Sequence, residues 1–235
     1  MRRGARGLRL LGVPVSGYAT DLLIGAGCVA TVQTSAVTLG EAGLAPRFTA
    51  AVKAGTITVQ DATCPAIHTM LQAAEKGVPY MPLRGILGSD LLAHRPDWRV
   101  VQNPFSAGPD PIVLLPALSP EFAAIHAVMA DAEGNVWVGR RRELATLAHA
   151  ARRTLVTVER RVPGNMLEDE RLAPGVIAAV YIDSIAVVPR GAWPVGVLDE
   201  YPADAEHFAV YAKAARTDEG FLHYCTAFVT KPAAP

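Results

Sequence analysis

The sequence has few cysteines, few aromatic rings, no surplus of either charge and no long apolar run, and each scarcity removes a class of function. Its three cysteines, Cys28, Cys64 and Cys225, are odd in number, far apart and never in a Cys-x-x-Cys pair. They indicate neither a disulfide framework nor a zinc knuckle, so a reducing cytoplasm is the expected compartment. Lysine plus arginine equals aspartate plus glutamate at 22 each. That balance leaves no electrostatic footprint for nucleic acid or an anionic membrane. No stretch approaches the ~18 uninterrupted apolar residues of a membrane span. The arginine-rich start superficially suggests a signal peptide, but Arg9 interrupts its apolar run, and a first strand is expected there instead. There is no G-x-S-x-G, no H-E-x-x-H and no Walker loop, and the histidines are scattered.

What is abundant is aliphatic. Of 235 residues 51% are apolar and only 6% aromatic, so the core must be built from Ala, Val, Leu and Ile, as buried parallel sheets are. The length suits a single domain over residues 1–235, and a fold of this size buries roughly 70 to 75% of its unfolded surface. Apolar and β-branched runs predict strands at residues 8–15, 29–39, 56–60, 78–83, 112–115, 122–129 and 154–161. Helical spacing predicts helices at 46–54, 65–76, 140–150, 203–216 and 219–229, with a polar break at Thr217 and Asp218. Asp21 is expected to cap a short helix that ends at Gly25 or Gly27. Residues 97–111 lose periodicity and gain Pro and Gly, as a loop would, and residues 176–188 read as two elements around Asp183. The alternation implies an α/β fold with an open, mainly parallel sheet and helices on both faces.

Residues 77–90 carry the most chemical information. A short strand delivers Arg84 into a turn containing Gly85 and Gly88, and Ser89 or Asp90 can cap a helix that starts at once. A guanidinium beside a helix N-terminus can hold a planar anion, most simply a carboxylate. The plainer alternative is that Arg84 pairs with a local carboxylate and the glycines only make a turn. Glu41 lies between two glycines just beyond a buried strand, where a parallel sheet places functional groups; its plainer reading is an exposed turn carboxylate. His126, inside an apolar run, reads as a hydrogen-bonded core histidine, and Glu159 as an ion-pair partner of Arg160 and Arg161. Gly25-Ala-Gly27-Cys-Val-Ala30 matches the dinucleotide fingerprint in letters, yet strand formers follow where a helix should open. Cys64 and His68, four apart on a helix, do not make a metal site.

Several strings together resemble the alpha-type subunit of family I CoA-transferases, in the branch typified by glutaconate CoA-transferase. They are Asp21-Leu-Leu-Ile-Gly-Ala-Gly27, Glu41-Ala-Gly-Leu-Ala-Pro-Arg-Phe48, Val78-Pro-Tyr-Met-Pro-Leu-Arg84 with Leu87-Gly-Ser-Asp90, Ala130-Asp-Ala-Glu-Gly-Asn135 and Val156-Thr-Val-Glu159. Pro189-Arg-Gly-Ala-Trp-Pro194 and the segment from Tyr201 to Glu219 fit the same pattern. The resemblance implies an open α/β fold paired with a homologous beta-type subunit, commonly as an α2β2 heterotetramer. It also implies that a glutamate of the partner attacks the acyl-CoA thioester and becomes a glutamyl-CoA thioester. On that footing no catalytic nucleophile is expected on this chain, and no cofactor beyond the coenzyme A thioester that is itself substrate. Arg84, Gly85, Gly88, Ser89 and Glu41 are the expected substrate-binding residues, facing an acyl-CoA and a small carboxylic acid. Relatives of this kind begin with a further strand, glycine-rich loop and helix before the strand expected at Leu8. A mis-set start would account for the difference, and so would a shortened subunit. Two other functions stay open: a hydrolase of the same fold in which water replaces the acceptor acid, and a non-catalytic acyl-CoA-binding scaffold.

Overall fold

The computed structural model describes residues 3–230. They fall into two compact units: one runs to Cys64 and resumes at Asp204, and the other is Pro65–Ala203.

The first unit opens with β1 (Leu8–Leu11), β2 (Val15–Ser16), α1 (Tyr18–Gly25), β3 (Val29–Thr34), β4 (Ala36–Val37), α2 (Pro46–Ala54) and β5 (Thr58–Asp61). Strands β1, β3 and β5 form a parallel sheet in that order, and β2 pairs with β4. The helices Ala205–Ala214 and Asp218–Tyr224 complete the unit, with Thr217 capping the second through its side chain. Val32, Cys28, Tyr211 and Tyr224 centre its core.

Asp21 departs from expectation. It lies inside the first turn of α1, fully buried, and serves another helix. Its carboxylate accepts from Arg47 N–H at 3.3 Å, Phe48 N–H at 2.6 Å and Tyr211 O–H at 2.6 Å. Two of those donors are orphan N–H groups in the first turn of α2, whose own N-cap is Ala45, a residue without a side-chain acceptor. Burial raises the Asp21 carboxyl, and its three donors pull against that rise. The Gly25-Ala-Gly27 string ends α1 rather than opening a helix. Gly27 is left-handed at φ 65°, and a Cβ on Gly25 would stand 2.5 Å from the Phe221 ring, so close packing requires that glycine.

The second unit follows the start of α3 (Cys64–Glu75) and contains β6 (Tyr80–Leu83), α4 (Leu91–His94), β7 (Arg99–Gln102) and β8 (Pro111–Pro116). Next come β9 (Ala123–Ala130), β10 (Val136–Trp137), α5 (Arg142–Ala150), β11 (Thr154–Arg161), β12 (Val176–Ile177) and β13 (Ser184–Val187). Strands β9, β11 and β13 are parallel, and β10 and β12 extend the sheet antiparallel on the other side of β9. The second sheet, β6-β8-β7, is antiparallel throughout. Its β7 lies within residues 97–111, where a loop is expected. A four-residue edge strand surrounded by proline and glycine is too short to show periodicity, and pairing with β8 is what makes it a strand. Pro82 is tolerated in β6 because that strand is also at an edge.

Between β9 and β10 the turn from Asp131 to Asn135 is a structural hub. The buried Asp131 carboxylate accepts from the Asn135 backbone and side chain and from Met166 N–H, each at 2.8 Å.

Candidate functional site

Register in the antiparallel sheet explains which residues meet. Leu83 pairs with Val113 and Gln102 with Pro111, so the ends of β6 and β7 and the start of β8 share one end of the sheet. Arg84, Asn103 and Asp110 follow or precede those strands and converge there. Arg84 Nη2 donates to Asp110 Oδ2 at 2.6 Å, and Asn103 Nδ2 donates to the same oxygen at 2.7 Å. The Arg84 side chain is 60% exposed and Asp110 25%. A guanidinium carries five N–H donors in a fixed fork. One anchors it to Asp110, and its exposure leaves the others room to reach a planar anion.

The surroundings of Arg84 correct two expectations. Helix α4 is four residues long, and neither Ser89 nor Asp90 caps it: Asp90 is itself helical and Ser89 Oγ donates to Ile86 O at 2.8 Å. A single turn aligns too few peptide dipoles to hold an anion, so any carboxylate here is held by the guanidinium alone. Gly88 is left-handed at φ 75° and shapes the turn, whereas a Cβ at Gly85 would meet nothing within 4 Å. Close backbone approach therefore does not require glycine at position 85. Glu41 lies in the first unit, exposed in a 3₁₀ turn, Gly40–Ala42.

The second unit also joins two residues that sequence reasoning treated separately. Glu159 does not pair with its neighbouring arginines: Arg160 contacts Glu200, and Arg161 donates to Asp131 O at 2.9 Å. Instead Glu159 Oε1 lies 2.7 Å from His126 Nε2 and accepts from Tyr201 O–H at 2.8 Å, while Oε2 accepts from Arg190 N–H at 2.6 Å. The other nitrogen of His126 meets Thr157 Oγ1 at 2.8 Å. Parallel pairing of Thr157 with His126, plus the two-residue repeat of a strand, places all three side chains on one face. That strand pairing was the signal available, and it is invisible without knowing that β9 and β11 are neighbours. His126 is the hydrogen-bonded core histidine its apolar run suggests.

Desolvation would raise the Glu159 carboxyl, but the donors from Arg190, Tyr201 and His126 outweigh it and hold the group below its ordinary range. Glu159 also steadies a strained turn, since Arg190 is a non-glycine residue at φ 57° and its N–H is the group bound. Three donors on two oxygens hold this carboxylate in place.

Among the described residues no group of three or more His, Cys, Asp or Glu could hold a metal ion, and no helix is long and apolar enough to cross a membrane. Cys64 contacts Ser35 Oγ at 3.3 Å.

No protein-family model matches the chain. An uncharacterized protein of Archaeoglobus fulgidus is 31% identical over 97% of this chain, which spans 51%, about half, of that relative's length. The A subunit of the glutaconate CoA-transferase of Acidaminococcus fermentans is 29% identical over 97% of this chain and 76% of its own length. For the A subunit of the 3-oxoadipate CoA-transferase of Pseudomonas knackmussii the figures are 28%, 97% and 80%. The crystal structure of the Acidaminococcus glutaconate CoA-transferase superimposes with a TM-score of 0.89 at 27% identity, covering 99% of this chain and 78% of that one.

Proposed function

We propose that this chain, which is similar in sequence and fold to the alpha-type subunits of family I CoA-transferases, is the alpha-type half of a two-subunit enzyme that moves CoA between an acyl-CoA and a carboxylic acid. The observation that carries this reading is the likeness to the glutaconate CoA-transferase structure, at a TM-score of 0.89 over 99% of this chain and 78% of that one.

The chemistry assigned to such a pair runs through a glutamate of the partner. Its carboxylate oxygen attacks the thioester carbonyl carbon and expels CoA as thiolate, leaving an acyl–glutamyl anhydride. The thiolate then attacks the glutamyl carbonyl, releasing the donor acid as carboxylate and leaving a glutamyl-CoA thioester. The acceptor carboxylate repeats the sequence in reverse, and the glutamate is regenerated. Three buried carboxylates of this chain are held in structural hydrogen bonding, since Asp21, Asp131 and Glu159 each accept three hydrogen bonds.

Arg84 is the residue proposed to orient the substrate. Its free N–H groups would hold a second carboxylate on the acyl group, with Gly88 and Ser89 shaping the turn behind it and Gly85 as a further contact. Glu41, in the first unit, is proposed as a separate contact. The acyl-CoA is a dicarboxylic or oxo acid derivative on this reading. The test is to co-express the chain with the beta-type reading frame beside its gene, screen acyl-CoA donors against acceptor acids, and follow CoA movement by mass spectrometry. New acyl-CoA whose acyl group derives from the acceptor supports transfer. Free CoA alone, with no acceptor thioester, would indicate hydrolysis.

A further inference from the structure

Asp110 stands between Pro109 and Pro111, and Asn103 stands immediately before Pro104. A residue that precedes proline is restricted to extended backbone, so Asp110 and Asn103 both have little backbone freedom of their own. The two are then tied to each other twice. Asn103 N–H donates to Asp110 O at 2.9 Å, and Asn103 Nδ2 donates to Asp110 Oδ2 at 2.7 Å. The oxygen of the Asn103 amide accepts from Phe105 N–H at 3.1 Å, which fixes the direction in which Nδ2 points. Gln102 Nε2 closes the same loop on Gly108 O at 2.8 Å.

Onto this held carboxylate Arg84 sets one nitrogen, with Nη2 donating to Asp110 Oδ2 at 2.6 Å. An exposed ion pair of this kind adds little to stability. Its effect on binding is larger, because a free arginine side chain gives up its rotamer freedom at the moment it takes an anion, and a tethered one has already done so. The tether also leaves the guanidinium usable. Nη2 carries two hydrogens, one on each two-hydrogen edge of the fork, and Asp110 takes one of them. The other edge stays complete and can meet a carboxylate with two parallel hydrogen bonds.

We propose that Asp110 and Asn103 are positioning residues, which hold the Arg84 fork in place and so set the preference for acyl-CoA substrates with a second carboxylate. This rests on the reading that Arg84 takes that carboxylate. Asp110 acts through Arg84, and Asn103 acts through Asp110.

The experiment uses the co-expressed pair and two CoA thioesters of equal chain length: glutaryl-CoA, with a terminal carboxylate, and pentanoyl-CoA, with a methyl in its place. KM and kcat are measured for wild type, Arg84→Ala, Asp110→Ala, Asp110→Asn, Asn103→Ala and Arg84→Ala combined with Asp110→Ala. Asp110→Ala should raise KM for glutaryl-CoA about 3- to 10-fold with kcat within about twofold, and should change little for pentanoyl-CoA, which lacks the group that Arg84 binds. Asn103→Ala should move KM the same way by less. Asp110→Asn keeps an oxygen that can accept both donors and should stay within about twofold of wild type. In the Arg84→Ala background, Asp110→Ala should change nothing further, since a positioning residue has no route to substrate once the group it positions is gone. A preference for glutaryl-CoA lost in Arg84→Ala but kept in Asp110→Ala overturns the positioning role and leaves Arg84 in the site. Equal losses for the two thioesters in Asp110→Ala, or additive losses in the combined variant, also overturn it, because those are the marks of a purely structural role. A wild type that does not favour glutaryl-CoA, or an Arg84→Ala variant that keeps the preference, overturns the reading of Arg84 and the positioning role with it.

Discussion

At Glu159 three donors converge on one carboxylate, and the consequence is a pH dependence with a defined sign. Its folded-state value is held below the ordinary 4.5. Such a group contributes stability that is fully present above the ordinary value and lost as pH falls through the lowered one. Melting temperature followed from about pH 6 down to about pH 3 should therefore drop, and Glu159→Gln should be less stable near neutrality but drop less steeply. Equal slopes would show that Glu159 is not a source of the acid sensitivity. Glu159→Ala, which strands donors from Arg190, Tyr201 and His126, should cost roughly 2–4 kcal/mol in denaturant unfolding. Arg84 makes a different kind of prediction, because its side chain is 60% exposed and holds one local partner. Arg84→Ala should leave stability nearly unchanged and raise KM about 10- to 100-fold for acyl-CoA substrates with a second carboxylate, with little effect on those without one. Unchanged kinetics for both would remove Arg84 from the site.

Among the elements, those whose signals are local were legible in the sequence. Helix α2 has Pro46 at its first turn and the left-handed Gly55 at its end, and it spans the predicted residues 46–54. Strand β11 likewise spans the predicted 154–161, because alternating Thr and Val mark it without help from neighbours. What escaped reading depends on partners far away in the chain. Asp21 caps α2 from 26 residues upstream, β7 is a strand only beside β8, and His126 and Glu159 meet only because β9 and β11 pair. At Arg84 the sequence shows the cation but not its geometry, because its partner Asp110 comes from a segment with no periodic signal. The alternative stated for Arg84, pairing with a local carboxylate, describes its geometry. The cap by Asp21 gives the prediction at this scale. Asp21→Ala should destabilise the chain by roughly 2–4 kcal/mol, since two helix-start N–H groups and the Tyr211 hydroxyl lose their acceptor, while Asp21→Asn, which keeps an acceptor, should cost less. Equal losses for the two variants would rule out the capping role.

For the whole molecule, the α/β class was legible in the alternation of apolar strands and capped helices, and the likeness to the glutaconate CoA-transferase fold bears it out. The division of that class into two units with sheets of their own was not, because contact partners are hidden in a linear pattern. The exposed fork of Arg84 suits a chain that binds and orients a substrate. The most direct measurement incubates the assembled pair with acyl-CoA, traps it with borohydride or hydroxylamine and analyses both chains by intact-mass spectrometry. The expected result is a partner glutamate converted to its alcohol by borohydride or to its hydroxamate by hydroxylamine, with CoA released, no such change on this chain, and loss of the modification when an acceptor acid is added first. Such a modification on a carboxylate of this chain, or turnover of acyl-CoA with no modification on either chain, would contradict it.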